Sequence, residues 1–374
     1  MKEIIQDLNY ENLEATVVEM GEAKYRARQL YAGLTQGRKI SEISVLPASF
    51  RAELLKRFED CPVEIIKTLQ SADGTRKFLF RLADGNIIEG VLMSYKYGNT
   101  QCVSTQVGCR MGCKFCASTL GGRVRDLTSG EILSQILVVN ALYANGKERG
   151  VTNIVLMGSG EPLDNYGNVV AFLRNVTCEG GINISARNIS LSTCGLADKM
   201  HALAEEGLGV NLTVSLHAVT DGERARTMPV ANKWSIEDIL AECDYYFKKT
   251  GRRYIFEYAL IAGENSDARH AEGLIRLLKG RPCHVNLIRL NEVKERALAA
   301  ADEKQAYRFL GMLEKGGLSA TLRRRMGADI GGACGQLRAS YIDGNESGDG
   351  GKDGNEDSAA DGCGTDEHKR GEEK

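Results

Sequence analysis

A chain of 374 residues with 43% hydrophobic and 26% charged residues can hold one large domain and a smaller one, with the composition of an ordinary globular protein. No apolar run approaches the roughly 20 residues that span a bilayer, and the acidic, amphipathic start Met-Lys-Glu-Ile-Ile-Gln-Asp-Leu lacks the apolar stretch of a secretory signal; a cytoplasmic protein with no membrane partner is expected. The net charge of −2 hides an asymmetry: residues 343–374 hold eleven acidic against four basic residues, leaving 44 basic against 39 acidic in residues 1–342, a mildly basic body that permits a nucleic-acid partner.

Residues 1–60 read as helices over 11–20, 24–33 and 47–58, with apolar residues at helical intervals. Basic residues collect here, among them Lys24, Arg26, Arg28, Arg38, Arg51 and Lys56. A solvated helical face explains them; a module that grips a phosphate backbone is the sharper alternative. Short β-rich runs follow at 63–69, 76–82 and 87–95, separated by Asp-Gly and Gly-Asn turns. Glu89 sits inside the apolar run Ile-Ile-Glu-Gly-Val-Leu-Met. Alternation can place it in solvent, but facing a cavity it would suit proton transfer.

From residue 101 strands and helices alternate. Strands are expected at 101–107, 152–157, 187–192, 210–216, 253–260 and 284–290, with helices near 129–144, 167–178, 197–206, 236–249, 267–279 and 302–315. Thr128-Ser129-Gly130-Glu131 is a capping-box start. Parallel neighbours require crossover helices, so the fold class is α/β, either doubly wound or a partial (βα)6 barrel. The unusual Gly-rich and polar sequences all follow strands: the Cys109–Cys116 loop, Gly158–Leu163, Ser192–Gly195, Ser215–Ala218 and Asn291. In α/β barrels that rim carries the chemistry. Arg323–Gln336 is Gly-rich around Cys334, and the stretch after Tyr341 is too polar to fold.

Cys109, Cys113 and Cys116 stand at C-x3-C-x2-C spacing, and Cys102 lies seven residues upstream. Three close thiolates can hold three irons of a [4Fe–4S] cluster and leave the fourth open to a substrate. Structural zinc prefers four ligands in two C-x2-C pairs, and the remaining cysteines form no second pair; zinc completed by a distant histidine is the alternative. In Gly158–Glu161, glycine lets the backbone approach a ligand closely and the carboxylate can receive an ammonium group. Ser192, the run Ser215-Leu216-His217 and Asn291 are each explained singly by an ordinary structural role, but together on one rim they could hydrogen-bond the same ligand.

The triplet, with Phe115 before its last cysteine, resembles the radical S-adenosylmethionine enzymes. Gln-Cys-Val-Ser-Thr-Gln-Val-Gly-Cys, Gly-Glu-Pro-Leu-Asp-Asn-Tyr, Val-Ser-Leu-His-Ala, His-Val-Asn-Leu-Ile and Ala-Cys-Gly-Gln-Leu together resemble the RlmN/Cfr group of RNA adenine methyltransferases, over most of residues 1–342. The resemblance implies a partial-barrel domain over 96–342 and a small helical and β accessory, RNA-binding domain over 1–95; composition makes residues 343–374 a disordered acidic tail.

It further implies one [4Fe–4S] cluster on Cys109, Cys113 and Cys116, and S-adenosylmethionine held by Gly160, Glu161, Ser192, Ser215, Leu216, His217 and Asn291. A ring carbon between two nitrogens is electron-poor and cannot attack a methyl sulfonium. The group therefore methylates a cysteine, here Cys334, with one S-adenosylmethionine, and activates that methyl with a 5′-deoxyadenosyl radical from a second. Cys102 would resolve the resulting protein–RNA adduct as a transient disulfide with Cys334, and Glu89 would accept the ring proton.

Gly-Glu-Pro-Leu resembles the carbon-2 members of the group, which act on 23S rRNA and on the adenosine 3′ of the tRNA anticodon. Arg289 and Ser159 depart from their pattern and keep carbon-8 methylation as an alternative. Reduced ferredoxin or flavodoxin as electron donor, and action as a monomer, complete the expectations. A non-catalytic zinc-containing RNA-binding protein is the rival from another class.

Overall fold

The computed structural model describes residues 2–332 except 146, 147, 292 and 294, all within one compact unit of residues 1–339. Cys334 and the acidic tail lie outside the described residues.

The chain opens with a two-residue strand β1 (Glu3–Ile4) and three helices, α1 (Tyr10–Glu19), α2 (Tyr25–Thr35) and α3 (Ala48–Arg57); β2 (Phe58–Glu59) then pairs with β1 in parallel. Helix α1 begins where the Asn9 side chain accepts from the Asn12 N–H at 2.8 Å, satisfying an orphan donor of the first turn. Leu13, Val17, Leu30, Leu34, Phe50 and Leu54 recur at helical spacing and close a small core of their own. Each such buried side chain contributes about 1.5–3 kcal/mol. Part of the basic run is paired within the module: Lys24 with Glu14 at 2.9 Å, Lys56 with Glu53 at 2.8 Å and Arg57 with Glu19 at 3.4 Å. Arg28 and Arg38 are exposed.

An antiparallel meander follows, built of β3 (Val63–Gln70), β4 (Arg76–Leu82), β5 (Ile87–Tyr95) and β6 (Gly98–Cys102). Period-2 alternation sorts its side chains. Phe78, Phe80, Ile88 and Leu92 join the main core, whereas Lys77, Glu89, Val91 and Cys102 share the opposite face. The strand expected over 101–107 is two strands. After Cys102 the chain leaves the large sheet, because the Thr105 and Gln106 N–H groups turn to the Ser159 carbonyl, and β7 (Gln106–Gly108) pairs instead with β8 (Arg123–Asp126).

Helix α4 (Ser129–Tyr143) starts with the expected capping box: Thr128 accepts from the Glu131 N–H at 3.2 Å and Glu131 accepts from the Thr128 N–H at 2.9 Å. Asp7 reaches the same helix start, accepting from Ser129 Oγ at 2.8 Å, and joins the N-terminal segment to the sheet domain. Regular alternation then runs through β9 (Asn153–Leu156), α5 (Tyr166–Thr177), β10 (Ile189–Thr193), α6 (Ala197–Glu205), β11 (Asn211–Ser215), α7 (Asp221–Thr227), α8 (Ile236–Thr250), β12 (Tyr254–Leu260), α9 (Ala268–Leu278), β13 (Cys283–Arg289), α10 (Glu303–Lys315) and β14 (Ala320–Leu322).

Ten of these strands form one sheet in the order β14-β13-β12-β11-β10-β9-β6-β5-β4-β3. From β6 to β14 every pair is parallel and each strand lies beside its predecessor. That progression in one direction is the partial-barrel arrangement, with β14 and β3 as its edges among the described residues, rather than a doubly wound sheet, whose order reverses. Strand β14 and helix α7 add to the six expected units, whose fourth helix, expected near 236–249, is α8. Leu191, Val214, Phe256 and Leu287 point outward into the helix-covered core. Met157, Ser192, Ser215, Glu257 and Ile288 point inward, where the cavities lie.

Candidate active site

The three-cysteine loop connects β7 to β8. Gly108 enters it at φ +75, and a Cβ there would stand 1.9 Å from the Gly122 carbonyl oxygen, so only glycine closes this neck. The Cys109 N–H donates to the same carbonyl at 2.9 Å, and Thr119 Oγ1 donates to the carbonyls of Cys113 and Cys116. Beneath the loop Asp164 accepts from Gln106 Nε2 at 3.0 Å and from Arg110 Nε at 3.0 Å, with Arg123 at 3.4 Å. Burial pushes the Asp164 carboxyl up, but hydrogen bonds from Arg110 and Gln106 outweigh it and hold the group below its ordinary value.

Cys109, Cys113 and Cys116 all line one cavity of about 170 Å3 at the C-terminal ends of the strands. Gly160, Glu161, Ser192, Ser215, His217 and Asn291 line it too. Gly158 and Gly160 are required by close approach: a Cβ would stand 2.6 Å from the Val103 backbone at the first and 2.7 Å from Gln106 at the second. Glu161 is buried and accepts from the backbone N–H of Cys194 at 2.7 Å and of Leu163 at 3.0 Å. Burial raises its carboxyl against these bonds.

His217 adopts φ +56, rare for a residue with a side chain. Its Nδ1 accepts from the Ala259 N–H at 2.9 Å, so the neutral ring carries its proton on Nε2, and its edge meets Phe115 with centroids 4.8 Å apart. Burial, then the nearby Arg224 charge, depress the imidazole to about 3. Leu216 lies apart from these residues. Its side chain belongs to the core, its N–H donates to the Glu257 carbonyl at 3.0 Å, and its carbonyl accepts from Arg224 Nε at 3.3 Å.

A second cavity, of about 40 Å3, adjoins the first and shares Met157, Asn291 and Arg323 with it. Cys102 lines it, packed with Val91, Met93 and Met326. Glu89 lies two residues before Val91 on the same strand face, 1% exposed, and its carboxylate pairs with Lys77 Nζ at 2.9 Å. Lys77 also donates to the Gly331 carbonyl at 3.1 Å, while Gly332 lines the cavity. The last described segment is strapped to the β3–β4 turn: Ser71 Oγ donates to Asp329 at 2.6 Å and the Gly327 N–H to Asp73 at 2.9 Å. Gly332 precedes Cys334 by two residues in sequence.

Two functional candidates carry weak or no signal in the sequence. Glu257 is a carboxylate in the apolar strand Tyr-Ile-Phe-Glu-Tyr-Ala-Leu, the same pattern that singles out Glu89, and it lines the first cavity with Oε2 buried and unbonded. Lys77 gives no signal, since an alternating strand places a lysine in solvent by default. Among the described residues no group of three or more His, Cys, Asp or Glu side chains is arranged to hold a single metal ion, which is what the zinc alternative requires. A [4Fe–4S] cluster makes a different demand, because each thiolate binds its own iron and the three sulfurs stand apart around one space. Three cysteines on the wall of one cavity, beside a carboxylate and a close-approach glycine, fit a cluster with a chelating ligand on its open iron.

Comparison with known proteins places this geometry. The radical SAM superfamily matches residues 103–274. A probable dual-specificity RNA methyltransferase RlmN of Lachnoclostridium phytofermentans is 49% identical over 342 residues, covering 91% of this chain and 95% of that protein. Its counterpart in Clostridium perfringens strain 13 is 50% identical over 345 residues, covering 91% and 98%. A crystal structure of a radical SAM methyltransferase from Sphaerobacter thermophilus superposes with a TM-score of 0.87 at 40% identity, covering 90% of this chain and 99% of that one.

Proposed function

The chain belongs to the RlmN family of dual-specificity RNA methyltransferases within the radical SAM superfamily, and from that premise we propose that it methylates carbon 2 of an adenosine in 23S rRNA and of the adenosine 3′ of the anticodon in tRNAs. The observation that carries the reading is the adjacency of two cavities, one lined by Cys109, Cys113 and Cys116 and the other by Cys102, with Asn291 and Arg323 in both walls. A methyl carrier serving an RNA base needs to reach both.

In this reading Cys109, Cys113 and Cys116 hold a [4Fe–4S] cluster, and Gly160, Glu161, Ser192, Ser215, His217 and Asn291 hold S-adenosylmethionine, with Leu216 setting the backbone between Ser215 and His217 from the core side. When bound, these groups supply a transferable methyl and a one-electron route to hydrogen abstraction. Glu161 orients the ligand's ammonium group, and the neutral His217 offers Nε2–H as a donor. Cys334 would carry the methyl as a thioether; once that methyl has lost one hydrogen atom its carbon bonds the ring carbon, and one electron then leaves the adduct to the one-electron carrier. Glu89 accepts the proton from the ring carbon. The Cys102 thiolate then attacks the Cys334 sulfur, the carbon–sulfur bond breaks with its electron pair going to the base, whose methylene takes up one proton to become the methyl group, and the disulfide left behind is reduced by two external electrons, from reduced ferredoxin or flavodoxin.

The helices of residues 1–60 serve as part of an RNA-binding module. No helix among the described residues is long and apolar enough to cross a membrane, and a cytoplasmic site of action accords with RNA substrates. Arg289, which lines the Cys102 cavity, keeps carbon 8 as the second reading. Nucleoside mass spectrometry of RNA treated anaerobically with the cluster-loaded enzyme decides between them: 2-methyladenosine is expected, and 8-methyladenosine or no methylated adenosine overturns the assignment.

A further inference from the structure

A third cavity, of about 270 Å3, continues along the inner face of the sheet below the other two, with Met157 and Arg323 in the walls of all three. It opens beside the β5–β6 turn. There the rings of Tyr95 and Tyr97 stack, with centroids 5.0 Å apart and planes within 6°, and Tyr97 is 71% exposed. The inner face of the Tyr97 ring is covered by Tyr95, so a flat apolar face is left to water. Its position is fixed by the next residue: Gly98 has φ +129, and a Cβ there would stand 2.2 Å from Thr152 Oγ1, so the turn is pressed against the start of β9.

Two cationic side chains, Arg323 and Arg324, line the same cavity. Of three consecutive arginines, Arg323 lies 3.4 Å from Glu257 and Arg325 donates to Asn291 at 3.2 Å. Arg324 lines both the second and third cavities, is exposed, and has no hydrogen bond or ion pair among the described residues. An open aromatic face beside a guanidinium is the pairing by which proteins hold single-stranded nucleic acid, the base on the ring and the phosphate on the charge.

We propose that Tyr97 and Arg324 form a docking site for an unpaired nucleotide next to the target adenosine, its base stacked on Tyr97 and its phosphate bound by Arg324. The inference rests on the RNA-methyltransferase reading and adds where the strand enters. Every base has a π-face, so such a site tolerates different neighbours. That property suits one enzyme acting on two RNAs. Splaying the flanking nucleotide onto Tyr97 also unstacks the target and leaves it facing the Cys102 cavity.

The test uses the cluster-loaded enzyme and a single-stranded RNA oligonucleotide carrying the target adenosine flanked by 5-iodouridine. Irradiation is expected to crosslink the oligonucleotide to Tyr97, located by mass spectrometry of the digested protein. In filter binding Tyr97→Ala weakens affinity roughly ten-fold, whereas Tyr97→Phe, which keeps the ring, binds like the parent. Arg324→Gln flattens the slope of log affinity against log salt by about 0.7, the share of one phosphate on a single strand. Parent-like binding by both Tyr97→Ala and Arg324→Gln, with crosslinks elsewhere, overturns the site and leaves the function intact. A parent enzyme that neither binds nor methylates the RNA overturns both. Tyr97 buries nothing in the core, so its replacement leaves the fold as a whole in place.

Discussion

Lys77 and Glu89 form a buried ion pair of 2.9 Å, 9% and 1% exposed at their side chains, and the same ammonium holds the Gly331 carbonyl at 3.1 Å. One lysine thus touches the carboxylate proposed for proton transfer and the segment that leads toward Cys334, the cysteine proposed to carry the methyl. Lys77 is a positioning residue in this arrangement. Removing one partner of a buried pair leaves an uncompensated charge and costs about 3–5 kcal/mol. Lys77→Met is expected to lower stability by that order in chemical denaturation, and Lys77→Arg to recover most of it. A second readout separates position from stability: hydrogen exchange over residues 326–332 should rise in Lys77→Met at a temperature where the rest of the sheet stays protected. Unchanged exchange there would remove Lys77 from any role in holding the segment.

Cys102 lies on the strand face shared with Val91 and Glu89 and lines the second cavity. If it resolves the adduct, Cys102→Ala should stop the reaction with RNA joined to Cys334. Denaturing gels are expected to show a protein–RNA band absent from the parent, and methylated nucleoside should fall sharply. Release of methylated RNA at the parent rate would exclude Cys102 from the mechanism.

Acid should loosen two turns before it unfolds the core. Burial alone raises the Asp84 carboxyl, but hydrogen bonds from Arg125 and Asn86 outweigh it and hold it at about 2; Asp73 is held at about 2 against burial by Thr75, Gly327 and Ser71. These folded values lie below the ordinary value of about 4. Their stabilisation is therefore fully present above about pH 5 and is lost as pH falls from about 4 toward 2. Asp84→Asn removes one such contribution, about 1 kcal/mol after solvent screening. The melting temperatures of parent and variant should differ near neutral pH and converge as the pH approaches about 2; a constant gap across that range would contradict the assignment.

Arg28 and Arg38 are exposed and carry no ion pair among the described residues, unlike Lys24, Lys56 and Arg57 of the same helical module. Reversing both to Glu is expected to weaken tRNA binding several-fold at low salt and to flatten its salt dependence by about 0.7–0.9 for each phosphate no longer neutralised. Equal slopes for parent and variant would return these residues to a solvated face.

What is legible in the chain itself follows from the range of each interaction. The spacing of Cys109, Cys113 and Cys116, the strand–helix alternation and the Thr128–Glu131 capping box are written within one turn or one loop of chain. Covalent proximity fixes such features, so the sequence by itself determined the fold class and the cavity's main residues. The break at Val103–Thr105 was invisible because a strand continues until its donors find a better partner, and that partner, the Ser159 carbonyl, lies more than fifty residues away. Lys77 faces Glu89 only because of the β4–β5 register, in which Lys77 lies opposite Val91; a slip of one residue would turn the lysine to the other face. Ser71 and Asp329 meet across 258 residues, and Tyr97 and Arg324 line one cavity only once the sheet has brought the β5–β6 turn and the segment after β14 to the same place. Pairings of that span depend on strand order and register, which no local pattern carries, and only the tertiary structure decided them.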